Sequence, residues 1–121
     1  MAGEPTFHTA RHRLETERQR YNRDVLNALE FDGWGIYAIW AGPYDCLYVG
    51  KSAEGQSAKA RLLAHLSPQE RHSNRHLYDA LYLNRDHVEF AICLTNSPQW
   101  ATELEDMLIK HYQPECNTLL K

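Results

Sequence analysis

A glutamate falls where a helix should be apolar. Laid out at about 100° per residue, the stretch from Pro98 to Tyr112 puts Gln99, Thr102, Glu103, Asp106, Lys110 and Gln113 on one polar arc. Trp100, Ala101, Leu104, Met107, Leu108, Ile109 and Tyr112 take the other side, and Glu105 falls among them, between Tyr112 and Ile109. A carboxylate facing inward is costly unless a cation, a donor or a metal satisfies it. Glu105 is therefore either half of a structural ion pair or hydrogen bond, or a metal ligand in a cleft.

Other residues could work beside it. Arg61 and His65 are four apart and share a helix face, and an arginine there suits bidentate contact with a phosphate. On spacing alone such a pair is also ordinary surface. Tyr37 and Tyr48 lie on two apolar runs separated by Gly42-Pro43-Tyr44-Asp45, which has a turn composition. If that turn closes Ala41 against Cys46, Tyr37 pairs with Gly50 and Ile39 with Tyr48, so both phenols share one sheet face. They are core filler or a convergent pair of hydroxyls.

Several familiar motifs fail on their spacing. Gly50-Lys51-Ser52 ends like a phosphate-binding P-loop, but that pattern needs glycine at position 45, where Asp45 stands. His72 and His76 are four apart, yet a zinc-protease helix needs glutamate where Ser73 stands. His8 and His12 add only a weak case for zinc, and no Ser/His/Asp signature is visible.

The elements that must position these residues follow from periodicity and punctuation. Met1 to Thr9 reads as a tail, and Ala10 to Phe31 as a helix with Leu14, Tyr21, Val25, Ala28 and Leu29 on one stripe. Its Arg11, Arg13, Arg18, Arg20 and Arg23 alternate with Glu15, Glu17 and Asp24, which gives either a salt-bridged solvent face or a docking face for DNA or a second subunit. Asp32-Gly33 then breaks the chain. Strands are expected at Gly35–Ala41, Cys46–Gly50 and Val88–Leu94, and helices near Ser57–Leu66, Asn74–Asn84 and Pro98–Tyr112. Ser97 and Pro98 give the last helix its N-cap and first position. The expected fold class is α+β: a small three-stranded, mainly antiparallel sheet flanked by helices, with an extra N-terminal helix. The expected division is a tail and helix over 1–32 and the main domain over 33–121.

Composition narrows the classes. The 121 residues suffice for one domain with a core, and 43% hydrophobic with 24% charged is an ordinary globular balance. No run of about 18 apolar residues suggests a membrane span, and Met1 to Phe7 lacks the apolar stretch of a signal peptide, so a cytoplasmic protein is expected. Cys46, Cys93 and Cys116 are odd in number with no CxxC pair, which reads as three free thiols in a reducing compartment. A net charge of −3 argues mildly against a nucleic-acid partner. The stretch from Lys51 to His76 offsets this, with Lys51, Lys59, Arg61, Arg71 and Arg75 against Glu54 and Glu70, plus His65, His72 and His76.

Taken in order, these residues resemble the GIY-YIG nuclease family. Gly35-Ile36-Tyr37 and Tyr48-Val49-Gly50 match the paired tripeptides of its name, with valine in place of the last isoleucine. Arg61 followed by His65 is similar to the family's Arg-x-x-x-His, and His72 stands where several members carry a further histidine. Glu105 matches the metal-binding glutamate, and Asn117 after Pro114 the late asparagine. The resemblance runs from about Gly33 to Leu119 and leaves out the N-terminal helix.

The resemblance implies a divalent-metal-dependent endonuclease that hydrolyses phosphodiester bonds in nucleic acid, with DNA the first expectation. Glu105 would hold Mg²⁺ or Mn²⁺, Arg61 would neutralise transition-state charge, and Tyr37 would be the general base for the attacking water. A free tyrosine titrates near about 10, so Lys51 is expected to favour its phenolate. Tyr48 would orient water or phosphate, and His65 or His72 would take or relay the proton. Gly50, Lys51, Lys59, Arg71, Arg75 and Asn117 are the expected nucleic-acid contacts. Family members serve repair, restriction and mobile elements through attached domains, so specificity here would be low, or would come from a homodimer or a partner protein. The competing readings are a non-catalytic nucleic-acid-binding module, a nuclease subunit of a larger complex, or an interaction protein docking through its N-terminal helix.

Overall fold

The computed structural model describes residues 4–30, 33–53 and 55–117. Its centre is the strand β2 (Gly35–Ala41), whose residues are nearly all buried. A short apolar run with no polar alternation is what a strand covered on both faces requires. It lies between β3 (Cys46–Lys51) and β4 (Val88–Leu94), and a two-residue strand β1 (Gln19–Arg20) pairs with the far side of β4. The sheet order is β1-β4-β2-β3, and every pairing is antiparallel. The α+β class and the three main strands agree with the expectation, and β1 is an addition.

Helices cover both faces. On one face Ile36, Ala38 and Trp40 pack with α1 (Phe7–Thr16) and α6 (Pro98–Tyr112), through Leu14, Leu104 and Leu108 among others. On the other, Tyr37 and Ile39 pack with α2 (Arg23–Asn27), α3 (Ala58–His65) and α5 (Arg75–Leu83), through Leu26, Leu62 and Leu77. The alternation along β2 thus sends successive side chains into two separate cores. Each fully buried large side chain contributes roughly 1.5–3 kcal/mol. A one-turn helix, α4 (Glu70–Ser73), links α3 to α5.

The N-terminal segment departs from the expected single helix over 10–31. It starts earlier, at Phe7, because Thr6 caps it by accepting from the Thr9 N–H at 3.1 Å. It stops at Thr16 and turns into β1, and Asn22 caps a separate α2. The cause is tertiary. Arg18 donates to the carbonyls of Glu15, Gly42 and Pro43 at 2.9, 3.0 and 2.8 Å, and its guanidinium lies 3.9 Å over the Trp40 ring. That grip on the β2–β3 turn takes Arg18 out of any solvent-facing charge row. Tyr21 turns inward, is buried and donates to the Leu62 carbonyl at 2.6 Å. The expected break at Asp32 and the end of the resemblance at Leu119 lie outside the described residues.

The hairpin register is as expected around the tyrosines, with Tyr37 opposite Gly50 and Ile39 opposite Tyr48. Nearer the turn the expected closure of Ala41 on Cys46 is not found: Trp40 faces Cys46, so Leu47 is an extra residue on β3. This bulge frees the Leu47 carbonyl, which accepts from the Cys116 N–H at 2.9 Å. Among the described residues no helix is long and apolar enough to cross a membrane. All three cysteines are free and buried.

Candidate functional site

Two glycines explain the tripeptides physically. A β-carbon on Gly35 would come within 2.5 Å of the Cys93 carbonyl oxygen. One on Gly50 would stand 2.4 Å from both Cζ and Oη of Tyr37, so the tyrosine ring occupies the space that a side chain there would need. Ser52, fully buried, accepts from the Gly35 N–H at 2.9 Å and pins the end of β3 to the start of β2. Tyr37 is thereby held at one place in the sheet, fully buried, with its ring centroid 6.3 Å from that of Tyr48.

The Tyr37 hydroxyl meets His65, the last residue of α3. Oη lies 2.7 Å from Nε2. On the other side of the imidazole, Nδ1 makes a short contact with Oε2 of Glu70, at the start of α4. All three side chains are buried. Tyr48 packs edge-on against His65, with centroids 5.1 Å apart. A cleft of about 540 Å³ opens here, lined by Tyr48, Arg61, His65, Ser67, Gln69 and Glu70 among others.

Arg61 enters the cleft from α3. Its Nε is buried and has no hydrogen-bond partner. Among the described residues neither Arg61 nor Glu105 is in a salt bridge. Glu105 is half-buried on α6, as its place in the apolar arc implied. Burial raises its carboxyl above the ordinary range, and Lys51 and then Arg61 pull it back in part. Burial also holds the Tyr37 phenol well above its usual value, reinforced by Tyr48 and opposed by Arg61. Tyr48 is raised for the same first reason. The cation that acts on Tyr37 is thus Arg61, whereas Lys51 acts on Glu105.

Tyr48, Arg61 and His65 line this cleft, Tyr37 is buried behind them against His65, and Lys51 and Arg61 act electrostatically on Glu105. Lys59 is half-buried on α3. Arg71 and His72 are exposed on α4 and do not line the cleft. Arg75 is exposed and bonded to Asp79 at 3.1 Å. Asn117 is buried, and its amide is used twice on one residue: Nδ2 donates to the Val49 carbonyl and Oδ1 accepts from the Val49 N–H, both at 2.8 Å. That leaves it a framework role. Gly50 likewise serves the packing of Tyr37.

The sequence reading gave Glu70 no role beyond its charge. The signal it does carry points elsewhere: Ser67-x-x-Glu70 reads as a helix capping box. In the folded chain the carboxylate turns to His65 instead.

A donor set for a hard cation is present but small. Among the described residues no three His, Cys, Asp or Glu side chains cluster. Glu105 alone would anchor such an ion. Mg²⁺ keeps several waters and commonly rests on one or two carboxylates plus substrate phosphate oxygens, so one half-buried glutamate fits that chemistry.

No protein-family model matches the chain, and no solved structure matches it. UvrABC system protein C of Gloeobacter violaceus is 33% identical over 87 residues. The aligned part is 72% of this chain, which spans only 13% of that protein's length; the chain is thus similar to a short part of UvrABC system protein C.

Proposed function

We propose that this protein is a metal-dependent endonuclease of the GIY-YIG type, which hydrolyses phosphodiester bonds in nucleic acid, with DNA the expected substrate. The observation that carries the reading is a cleft lined by an arginine whose buried Nε lacks a partner and by a histidine hydrogen-bonded to the buried Tyr37 behind it. An unsatisfied guanidinium nitrogen is expensive when buried and calls for an anion. The ordered tripeptides and the 33% identity to part of UvrABC system protein C support the same reading.

The residues divide the work as follows. Arg61 binds the scissile phosphate and neutralises charge as the pentacoordinate state forms. Tyr37 rests as a phenol, since burial opposes its ionisation. It therefore accepts a proton only as it gives its own away. The attacking water loses a proton to Tyr37 Oη while the phenolic proton moves to Nε2 of His65. The water oxygen bonds to phosphorus, the bond to the leaving sugar oxygen breaks, and that oxygen keeps the electron pair and takes a proton from solvent. Tyr48, which lines the cleft, orients water or phosphate. Glu105 would hold a divalent cation, which when bound would supply Lewis-acid stabilisation of developing charge.

The test is a cleavage assay on plasmid, branched and single-stranded DNA with Mg²⁺, Mn²⁺ or EDTA. Glu105→Ala should stay folded and lose at least about a hundredfold in rate. Full metal-dependent activity in that variant would sink the proposal. Binding without cleavage by the folded wild-type protein would favour a nucleic-acid-binding module.

A further inference from the structure

We infer that Glu70 is a positioning residue for this reaction: its carboxylate holds the Nδ1 proton of His65 and so leaves Nε2 free to accept from the Tyr37 hydroxyl. The inference rests on the reading of Tyr37 as the general base. Its starting point is the burial of Glu70, which is 7% exposed. Glutamates are almost never this buried without a partner, and among the described residues the only partner of this carboxylate is the His65 ring.

With His65 neutral and Glu70 ionised, each of the two contacts has one direction. An ionised carboxylate only accepts, and a neutral imidazole has a single N–H. With that N–H on Nδ1, the bond to Glu70 is made and Nε2 keeps its lone pair. The hydroxyl 2.7 Å away must then donate to the ring. The other tautomer would set a lone pair against a carboxylate in a buried place, leaving both unsatisfied. Glu70 thus orients the proton path outward from the cleft: water to Tyr37 Oη, Tyr37 to His65 Nε2. When His65 has received the proton, the imidazolium lies beside a carboxylate. This is the division of labour of an acid–histidine pair behind a hydroxyl, here turned on a phenol and a water. The pair also bridges the end of α3 and the start of α4, so a purely structural strap is the alternative that the test must separate.

Two measurements do so. Nitrogen-15 NMR of the intact protein, with the His65 signals assigned by their loss in His65→Gln, reads the tautomer without any assay of cleavage. The wild-type ring should carry its proton on Nδ1. In Glu70→Gln the amide can donate to Nδ1, and the tautomer should shift to Nε2–H. In the same variant kcat should fall by about 10²–10⁴-fold, with KM for DNA and thermal stability little changed. Glu70→Asp should recover about tenfold of that loss. A wild-type ring protonated on Nε2, or Glu70→Gln cleaving at the wild-type rate with an unchanged His65 spectrum, would overturn the inference. Should the wild-type protein cleave nothing, the nuclease reading fails, and the wild-type tautomer still decides whether Glu70 controls His65.

Discussion

Gly50→Ala perturbs the site without touching a chemical group. The added β-carbon would sit 2.4 Å from both Cζ and Oη of Tyr37 and 2.8 Å from Cε1. Carbon atoms in contact prefer about 3.5–4.0 Å, so the ring must retreat by about 1 Å. It has nowhere free to go: Tyr37 is fully buried, with Tyr48 and His65 packed around it. Retreat also disturbs the 2.7 Å bond to His65. Overpacking of this kind costs about 1–3 kcal/mol, which for a chain of this size lowers Tm by roughly 3–6 °C per kcal/mol. A displacement of about 1 Å at a reacting group costs about a hundredfold in rate. The assay pairs a thermal melt followed by circular dichroism with plasmid nicking. Gly33→Ala is the control, since its β-carbon would meet only Leu94 Cδ2 at an ordinary 3.8 Å. Gly33→Ala should leave both readouts near wild type. A Gly50→Ala protein that melts and cuts like wild type would refute the account of why glycine follows Tyr48-Val49.

Two further outcomes follow from burial. The Glu105 carboxyl is raised by desolvation, so the folded state holds a proton that the unfolded chain has released, and stability falls as pH rises from the unfolded value through the folded one. Glu105→Gln should therefore raise Tm at pH 7 in EDTA, with the gain shrinking toward pH of about 4; a gain independent of pH would contradict this. Burial pushes the Cys46 and Cys116 thiols up to about 12 and raises Cys93 as well. A thiol reagent at pH 8 should label the native protein only as it opens and titrate three thiols in denaturant, and prompt labelling of the native protein would refute it.

What could be read in advance was what depends on local pattern. The last helix came through from Ser97 to Tyr112 because its cap, its Pro98 and its apolar stripe all lie within one element. The tyrosine pairing followed from strict alternation counted from a closure of Ala41 on Cys46, and it matched although Trp40 faces Cys46, because the Leu47 bulge restores the count. The bulge itself could not be read, because Cys46 to Val49 is apolar throughout and shows no change of face. The N-terminal break was hidden for a similar reason. Residues 17–22 contain no glycine or proline, and the chain turns there because Arg18 finds carbonyls in a hairpin 24 residues away. Tyr21 matched the helical stripe and was buried as expected, but against Leu62 and Phe90 instead of along a helix. Glu70 could not be seen at all, since its partner lies across a turn that carries no periodicity.

Asn117 has a consequence for the molecule's relations with its own kind. β3 is the outermost strand of the sheet, and an open strand margin offers unpaired peptide groups to any extended segment that drifts against it. The carboxamide of Asn117 presents to Val49 the same donor and acceptor that the peptide of a neighbouring strand would offer. Cys116 does likewise for Leu47 through its own N–H. The two together act as a counterfeit strand, two residues long, laid over the middle of the margin. An intruding chain finds those bonds already taken, so the residue that closes the fold also keeps the sheet from growing by accretion.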